Sequence, residues 1–245
     1  PSTAITIPAV SAGKHSLKVT DRNGLFDTVE VTTTNSLTIF PQSGAAGDPI
    51  ALTGTGFGIN KVIAVYFDGV PLSITPGVVT DSNGDFKATI TIPETPAGTH
   101  VINVSDNVSA VTAQLTTKAS AKPGKDSGKV DESIAVNGSG FSANADITIK
   151  YDNMALTTAK ASANGSFASS IKLPAGTAGA HKVTVSDGIN SVTFDIILQA
   201  TAKIDKPKGN IGTQVTITGY AFNPGSPVTV KYDSITIPAG NADST

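Results

Sequence analysis

The 245-residue chain contains no cysteine and no tryptophan, one methionine, and only 15% charged residues. Without cysteine there is no disulfide staple, no thiol nucleophile and no thiolate metal ligand, so apolar cores must hold the fold. The charges nearly cancel, at a net −2, which leaves no basic field for nucleic acid or for an anionic membrane surface. No apolar run approaches the roughly 20 residues of a membrane-spanning helix, and no leader pattern is read at the start. Because the chain opens on Pro1 rather than Met, a processed or excised part of a longer protein is expected. Helices are missing too: no stretch combines an apolar stripe of period 3.6 with a capping residue.

What is present is short alternating segments rich in β-branched residues. Ile50-Ala51-Leu52, Val62 to Phe67, Ala88 to Ile92 and Val101 to Val104 read as strands. Serine and threonine together exceed a fifth of the residues, beside 24 glycines and 14 prolines. That composition is typical of exported all-β modules. Asn83-Gly84 and Asn164-Gly165 read as tight two-residue hairpins with positive φ at both central positions.

The segments repeat. Gly54-Thr55-Gly56-Phe57 returns as Gly138-Ser139-Gly140-Phe141 and as Gly219-Tyr220-Ala221-Phe222. Ala12-Gly13-Lys14-His15 returns as Ala97-Gly98-Thr99-His100 and as Ala178-Gly179-Ala180-His181. Repetition at a fixed period sets the architecture before any single residue is interpreted. It divides the chain into residues 1–35 (second half of a module), 36–117 and 118–199 (complete modules), and 200–245 (first half of a module). About seven short strands per module predict a two-sheet sandwich with Phe57, Phe67, Phe86, Phe141, Tyr151 and Phe167 in the cores. Near-absent linkers predict a semi-rigid, elongated array. In this register Pro1 stands opposite Phe86, and Thr245 opposite Asn164, so the two ends carry complementary halves of one module.

The run Gly47-Asp48-Pro49-Ile50-Ala51-Leu52-Thr53-Gly54-Thr55-Gly56-Phe57, followed by a strand ending in Asp68-Gly69, resembles the IPT/TIG-like immunoglobulin fold of prokaryotic surface proteins. The resemblance covers essentially the whole chain and departs from the pattern at Tyr220-Ala221. It implies an all-β fold of tandem Ig-like β-sandwich modules. It also implies a spacer, adhesive or structural role at the cell surface, with no enzyme activity and no cofactor.

Candidate chemistry recurs with the modules. His15, His100 and His181 occur once per copy, about 80 residues apart, too far apart to share a metal. They read as structural residues at strand starts. Asp68, Asp152 and Asp233 end a strand in each copy, and Asp21, Asp106 and Asp187 follow a Val-Thr or Val-Ser pair. These read as turn caps. An Asp and a His of one module meeting in an open cleft, within hydrogen-bond reach, would instead mark a catalytic centre. Asp81, Asn83 and Asp85 form a weak calcium candidate. The next copy has Ser162, Asn164 and Ser166 there, so a turn explains both copies and calcium only one. The glycines of Gly-Thr-Gly read as a bulge or turn, since no helix follows to make a phosphate site. Asn103, Asn107, Asn137 and Asn164 begin Asn-x-Ser sequons, surface carrier sites in a glycosylating host, which would add glycans to the partners.

The leading expectation is a non-enzymatic structural subunit of an extracellular filament, sheath or surface layer. Copies would join head to tail, with Thr213–Asp233 of one pairing with Ile5–Val31 of the next. The alternatives are an adhesin stalk or carbohydrate-binding array, disfavoured by 5% aromatics, and spacer modules of a secreted glycosidase.

Overall fold

The computed structural model describes residues 2–8, 10–74 and 76–243, so Pro1 and Thr245 lie outside it. Every regular element among these residues is a β-strand, so no helix is available to cross a membrane. The chain divides into two compact units, residues 1–118 and 119–245.

The first unit opens with a hairpin of β1 (Gly13–Thr20) and β2 (Phe26–Thr33). A complete sandwich follows: β3 (Ser36–Phe40), β4 (Ser43–Gly44), β5 (Pro49–Thr55), β6 (Ala64–Phe67), β7 (Val70–Leu72), β8 (Phe86–Thr91), β9 (Gly98–Ser105) and β10 (Ala110–Thr117). One sheet has the order β3-β5-β8 and the other β4-β10-β9-β6-β7. The second unit repeats this with β11 (Ser120–Pro123), β12 (Ser127–Gly128), β13 (Ser133–Ser139), β14 (Asp146–Tyr151), β15 (Met154–Lys160), β16 (Phe167–Lys172), β17 (Gly179–Ser186) and β18 (Ser191–Leu198). Its sheets are β11-β13-β16 and β12-β18-β17-β14-β15, the same orders. It ends in two separate pairs, β19 (Thr201–Ile204) with β20 (Ile217–Tyr220), and β21 (Pro227–Tyr232) with β22 (Ile235–Asn241).

Each complete module therefore has eight strands rather than the expected seven. The extra ones, β4 and β12, are two residues long and run parallel to β10 and β18. Alternation does the rest. In β5, Ile50, Leu52 and Gly54 point inward and Ala51, Thr53 and Thr55 outward. The inward residues of both sheets make one core per module. All six predicted aromatics are buried, and the equivalent Phe86 and Phe167 are 5% and 6% exposed, as the repeat register requires. Each packs edge-on against its partner, Phe57 or Phe141, with ring centroids 5.3 and 5.4 Å apart.

The Asn-Gly turns differ from expectation. Only the glycines have positive φ, 78° at Gly84 and 74° at Gly165. The flanking strands are not ladder neighbours: β8 pairs with β5, and β7 pairs with β6. The turn crosses from sheet to sheet, so the geometry of a two-residue hairpin is not required. Glycine is required, because a Cβ would collide with the carbonyl of Phe57 or Phe141. The Gly-Thr-Gly segments do form a left-handed turn, with φ 77° at Gly56 and 76° at Gly140. The last copy keeps it at Ala221, φ 62°. Within each unit this turn is tied to the preceding module, by Ala12 N–H to Gly56 O (2.6 Å) and Ala178 N–H to Ala221 O (2.8 Å).

Candidate functional site

The pairing of β6 with β9 sets Phe67 opposite Ile102, which brings Asp68, just past the end of β6, alongside His100 and Val101. Asp68 takes the left-handed conformation, φ 49°, and aims its carboxylate back at β9. His100 Nδ1 lies 2.6 Å from Asp68 Oδ2, and the Val101 N–H donates to Oδ1 at 2.9 Å. The next module repeats every part: Asp152 at φ 50°, His181 Nδ1 to Oδ2 at 2.9 Å, and Lys182 N–H to Oδ1 at 3.0 Å. Each imidazole stacks on the aromatic residue before its aspartate, Phe67 or Tyr151, with centroids 4.8 Å apart. Sequence reasoning treated these histidines and aspartates as unrelated structural residues. The signal that joins them is that both recur once per copy, but it becomes legible only when β6 and β9 are known to be neighbours.

The second nitrogen decides what the pair can do. His100 Nε2 lies 3.0 Å from Pro96 O, and His181 Nε2 2.8 Å from Thr177 O. A carbonyl and a carboxylate only accept, so the geometry is fully satisfied when the ring donates from both nitrogens. Burial opposes that charge at His181, but the Asp152 hydrogen bond, the Thr177 carbonyl and the Asp152 charge together raise its pKa above the ordinary value. The His181 hydrogen bond lowers the pKa of Asp152, against a smaller effect of burial. Burial likewise opposes ionisation at Asp68, yet its bonds from His100 and Val101 bring its pKa down. A ring donating twice has no lone pair for accepting a proton or ligating a metal. The pair in the second module does border an open depression of about 500 Å³, lined by Tyr151, Asp152, Asn153, Met154, Pro174 and His181. No serine, threonine or cysteine lines it to serve as a nucleophile. The Asp–His convergence that would mark catalysis is thus present in distance, but with the base occupied.

Asp106 and Asp187 are a second repeated device. Asp106, buried, accepts from the N–H groups of Gly58 (2.7 Å), Val108 (2.9 Å) and Ser109 (2.7 Å). Asp187 accepts from those of Ser142, Ile189 and Asn190. Each locks the turn between the last two strands to the segment following the buried Phe57 or Phe141. Burial raises the pKa of Asp106, but the N–H donors outweigh it and bring the value down to about 2; Asp187 shifts the same way.

The other sequence candidates do not gather. Asp81 Oδ1 accepts from the N–H groups of Asn83 and Asp85, and Ser162 Oγ accepts from Asn164 and Ser166 in the same pattern. The turn thus survives replacement of its carboxylates. Among the described residues no three His, Asp or Glu side chains cluster to hold a metal. Of the sequon asparagines, Asn107, Asn137 and Asn164 are exposed, and Asn103 is half-buried within β9. In the half-modules, His15 keeps its carbonyl partner, Ser11 O at 2.9 Å, and also contacts Thr33 Oγ1. Asp21 Oδ1 accepts from Asn23 and Leu25.

The family model of the IPT/TIG domain matches residues 35–119. No curated protein matches the chain. Among solved structures, the D0-D1 domain of intimin is 18% identical over 67% of this chain and 99% of its own, with a TM-score of 0.28. The Yersinia pseudotuberculosis adhesin InvE is 14% identical over 83% of this chain and 66% of its own, TM-score 0.33. The Bacteroides ovatus mixed-linkage glucan utilization locus protein SGBP-B, in complex with a mixed-linkage heptasaccharide, is 14% identical over 83% and 61%, TM-score 0.33. With the matched strands, sheet orders and turns in place, residues 35–119 are an IPT/TIG domain, and the following module repeats its architecture.

Proposed function

We propose that the chain is a non-enzymatic structural segment of an extracellular filament, sheath or surface layer, and that copies join head to tail by completing a sandwich. The observation that carries this reading is the pair of unfinished modules. The head hairpin β1-β2 corresponds to β9-β10 and exposes Leu17, Val19 and Val29. The tail pairs β19-β20 and β21-β22 correspond to β3-β5 and β6-β7 and expose Ile217, Phe222 and Tyr232. Each half bears an apolar face and open strand edges, costly in water and relieved by the other half. A head-to-tail contact is heterologous, so it propagates as an open chain unless the rotation closes. Serine- and threonine-rich, charge-poor surfaces and three exposed sequon asparagines fit a surface location. The rival reading, a glycan-binding array, is less well supported. Within the complete modules Phe40 is the one exposed aromatic among the described residues, and sugar platforms need several rings.

The repeat register supplies a test. Tyr66 faces Asn103 across β6 and β9, so Lys231 of one copy should face Lys18 of another. The chain lacks cysteine, and Lys18→Cys and Lys231→Cys variants therefore carry one thiol each. Mixing and oxidising them should give a disulfide-linked pair, while either variant alone stays uncross-linked. Absence of the mixed pair, or equal linkage between identical variants, defeats head-to-tail joining.

A further inference from the structure

Each half-module carries half of the repeated Asp–His device, already shaped. His15 is held by Ser11 O at 2.9 Å, as His100 is by Pro96 O at 3.0 Å. Its Nδ1, which meets an aspartate in both complete modules, meets none in its own unit. Asp233 follows Tyr232 and has φ 54°, matching 49° at Asp68 and 50° at Asp152, yet no histidine of its unit faces it. The second device is divided too. Asp21 Oδ1 caps its own turn through Asn23 and Leu25. The donor corresponding to Gly58 and Ser142, the N–H of Asn223, belongs to the tail.

We infer that the tail of a second copy docks on the head through two residue-specific contacts, Asp233 to His15 Nδ1 with Tyr232 stacked on the ring, and Asn223 N–H to the Asp21 carboxylate. This rests on the head-to-tail reading above and names the atoms that choose the register. A slip of one residue would turn Asp233 away from the imidazole and send Tyr232 to the opposite face. Each contact demands one alignment, so apolar burial supplies attraction while the two aspartates supply position. The pair also makes the junction pH-sensitive, because the ring donates from both nitrogens only when protonated. The other charged groups facing this site are Lys14 with its partner Glu30 (2.7 Å), Lys18, and the incoming Lys231. The segment Ser11–Gly13 and β22 bring none. Lysines and an ion-paired glutamate keep their charge between pH 6 and 8, so the response across that range belongs to His15.

Self-association of the full chain, measured by sedimentation at pH 6 and pH 8, tests this. The unaltered chain should associate more tightly at pH 6. Asp233→Asn and His15→Gln should each weaken association at pH 6 by about fivefold, the effect of one half-exposed ion pair, and abolish the difference between the two pH values. The double variant should be no weaker than either single one. Asp21→Ala should weaken association while leaving the pH difference intact. Thermal melting of the complete modules, which contain none of these residues, should not change. If the chain associates and the Lys18–Lys231 disulfide forms, but these variants behave like the parent, the contacts are wrong and the head-to-tail reading stands. If nothing associates at either pH, both are overturned.

Discussion

The complete modules and the half-modules contain the same positions in two environments. Leu17 is 37% exposed where Ile102 is 0%, and Val19 is 64% exposed where Val104 is 0%. Phe222 is 40% exposed where Phe57 is 0%, and Tyr232 is 70% exposed where Phe67 is 5%. Backbone conformation does not follow this contrast. The β1-β2 ladder has eight paired positions, as β9-β10 does. Ala221 and Asp233 adopt the left-handed turns of their buried counterparts. Turn residues and β-propensity therefore shape the pieces, and the opposing sheet is needed only to bury them. Stability in this chain should depend on the presence of the second sheet rather than on residue type.

The sharpest test exchanges the same ring in both settings. Phe141→Ala should cost about 3–5 kcal/mol in denaturant unfolding of the second module, whereas Phe222→Ala in the unassociated chain should cost less than about 1 kcal/mol. Equal losses would erase the distinction between whole and half modules. Next in size is the aspartate that locks the last turn. Asp187→Ala leaves buried N–H groups without an acceptor and should cost about 2–3 kcal/mol. Asp21→Ala, at an exposed turn, should cost a few tenths of that. For Asp106, whose pKa lies below the ordinary 3.8, at about 2, the contribution to stability is present above pH 3.8. It is lost only as pH falls through about 2, so urea titrations should show the first module holding down to that range. A smaller effect of opposite sign is expected from Ala221→Gly. Removing a Cβ from a φ of 62° should stabilise β20 by about 1 kcal/mol, read as slower amide exchange.

The smallest effect is also the most specific. His181 has a raised pKa, so its stabilisation of the second module is complete below about pH 6.5 and disappears as pH rises through the raised value. The lowered pKa of Asp152 means its share is present above 3.8 and fails as pH falls below that. Between pH 6 and 8 the module should lose under about 1 kcal/mol, given that Asp152 is half-exposed and screened. Asp152→Asn should remove the slope, measured by melting temperature against pH.

Most of the fold was legible because it is periodic. Ile50, Leu52 and Gly54 alternate with outward residues, and Phe86 and Phe167 recur at one register, so local pattern and repetition pointed to the same sandwich. What escaped depends on which strands become neighbours. Asn83-Gly84 has the composition of a hairpin, but the chain uses it to cross between sheets. The β4 and β12 strands are too short to carry a pattern. The Asp–His pair is separated by 32 residues in one module and 29 in the other, and only the β6-β9 and β14-β17 ladders bring it together. A local reading finds each residue and misses the contact.

The single-layered ends have a consequence for how the protein is lost. Ladder bonds with no second sheet above them open at low free energy, so a protease should nibble the free chain inward from both ends and stall near residues 36–199. Copies joined end to end would hide every such site except one head and one tail. Turnover would then depend on how many ends an assembly has and not on its length, and a long assembly would outlast the same mass divided among short ones.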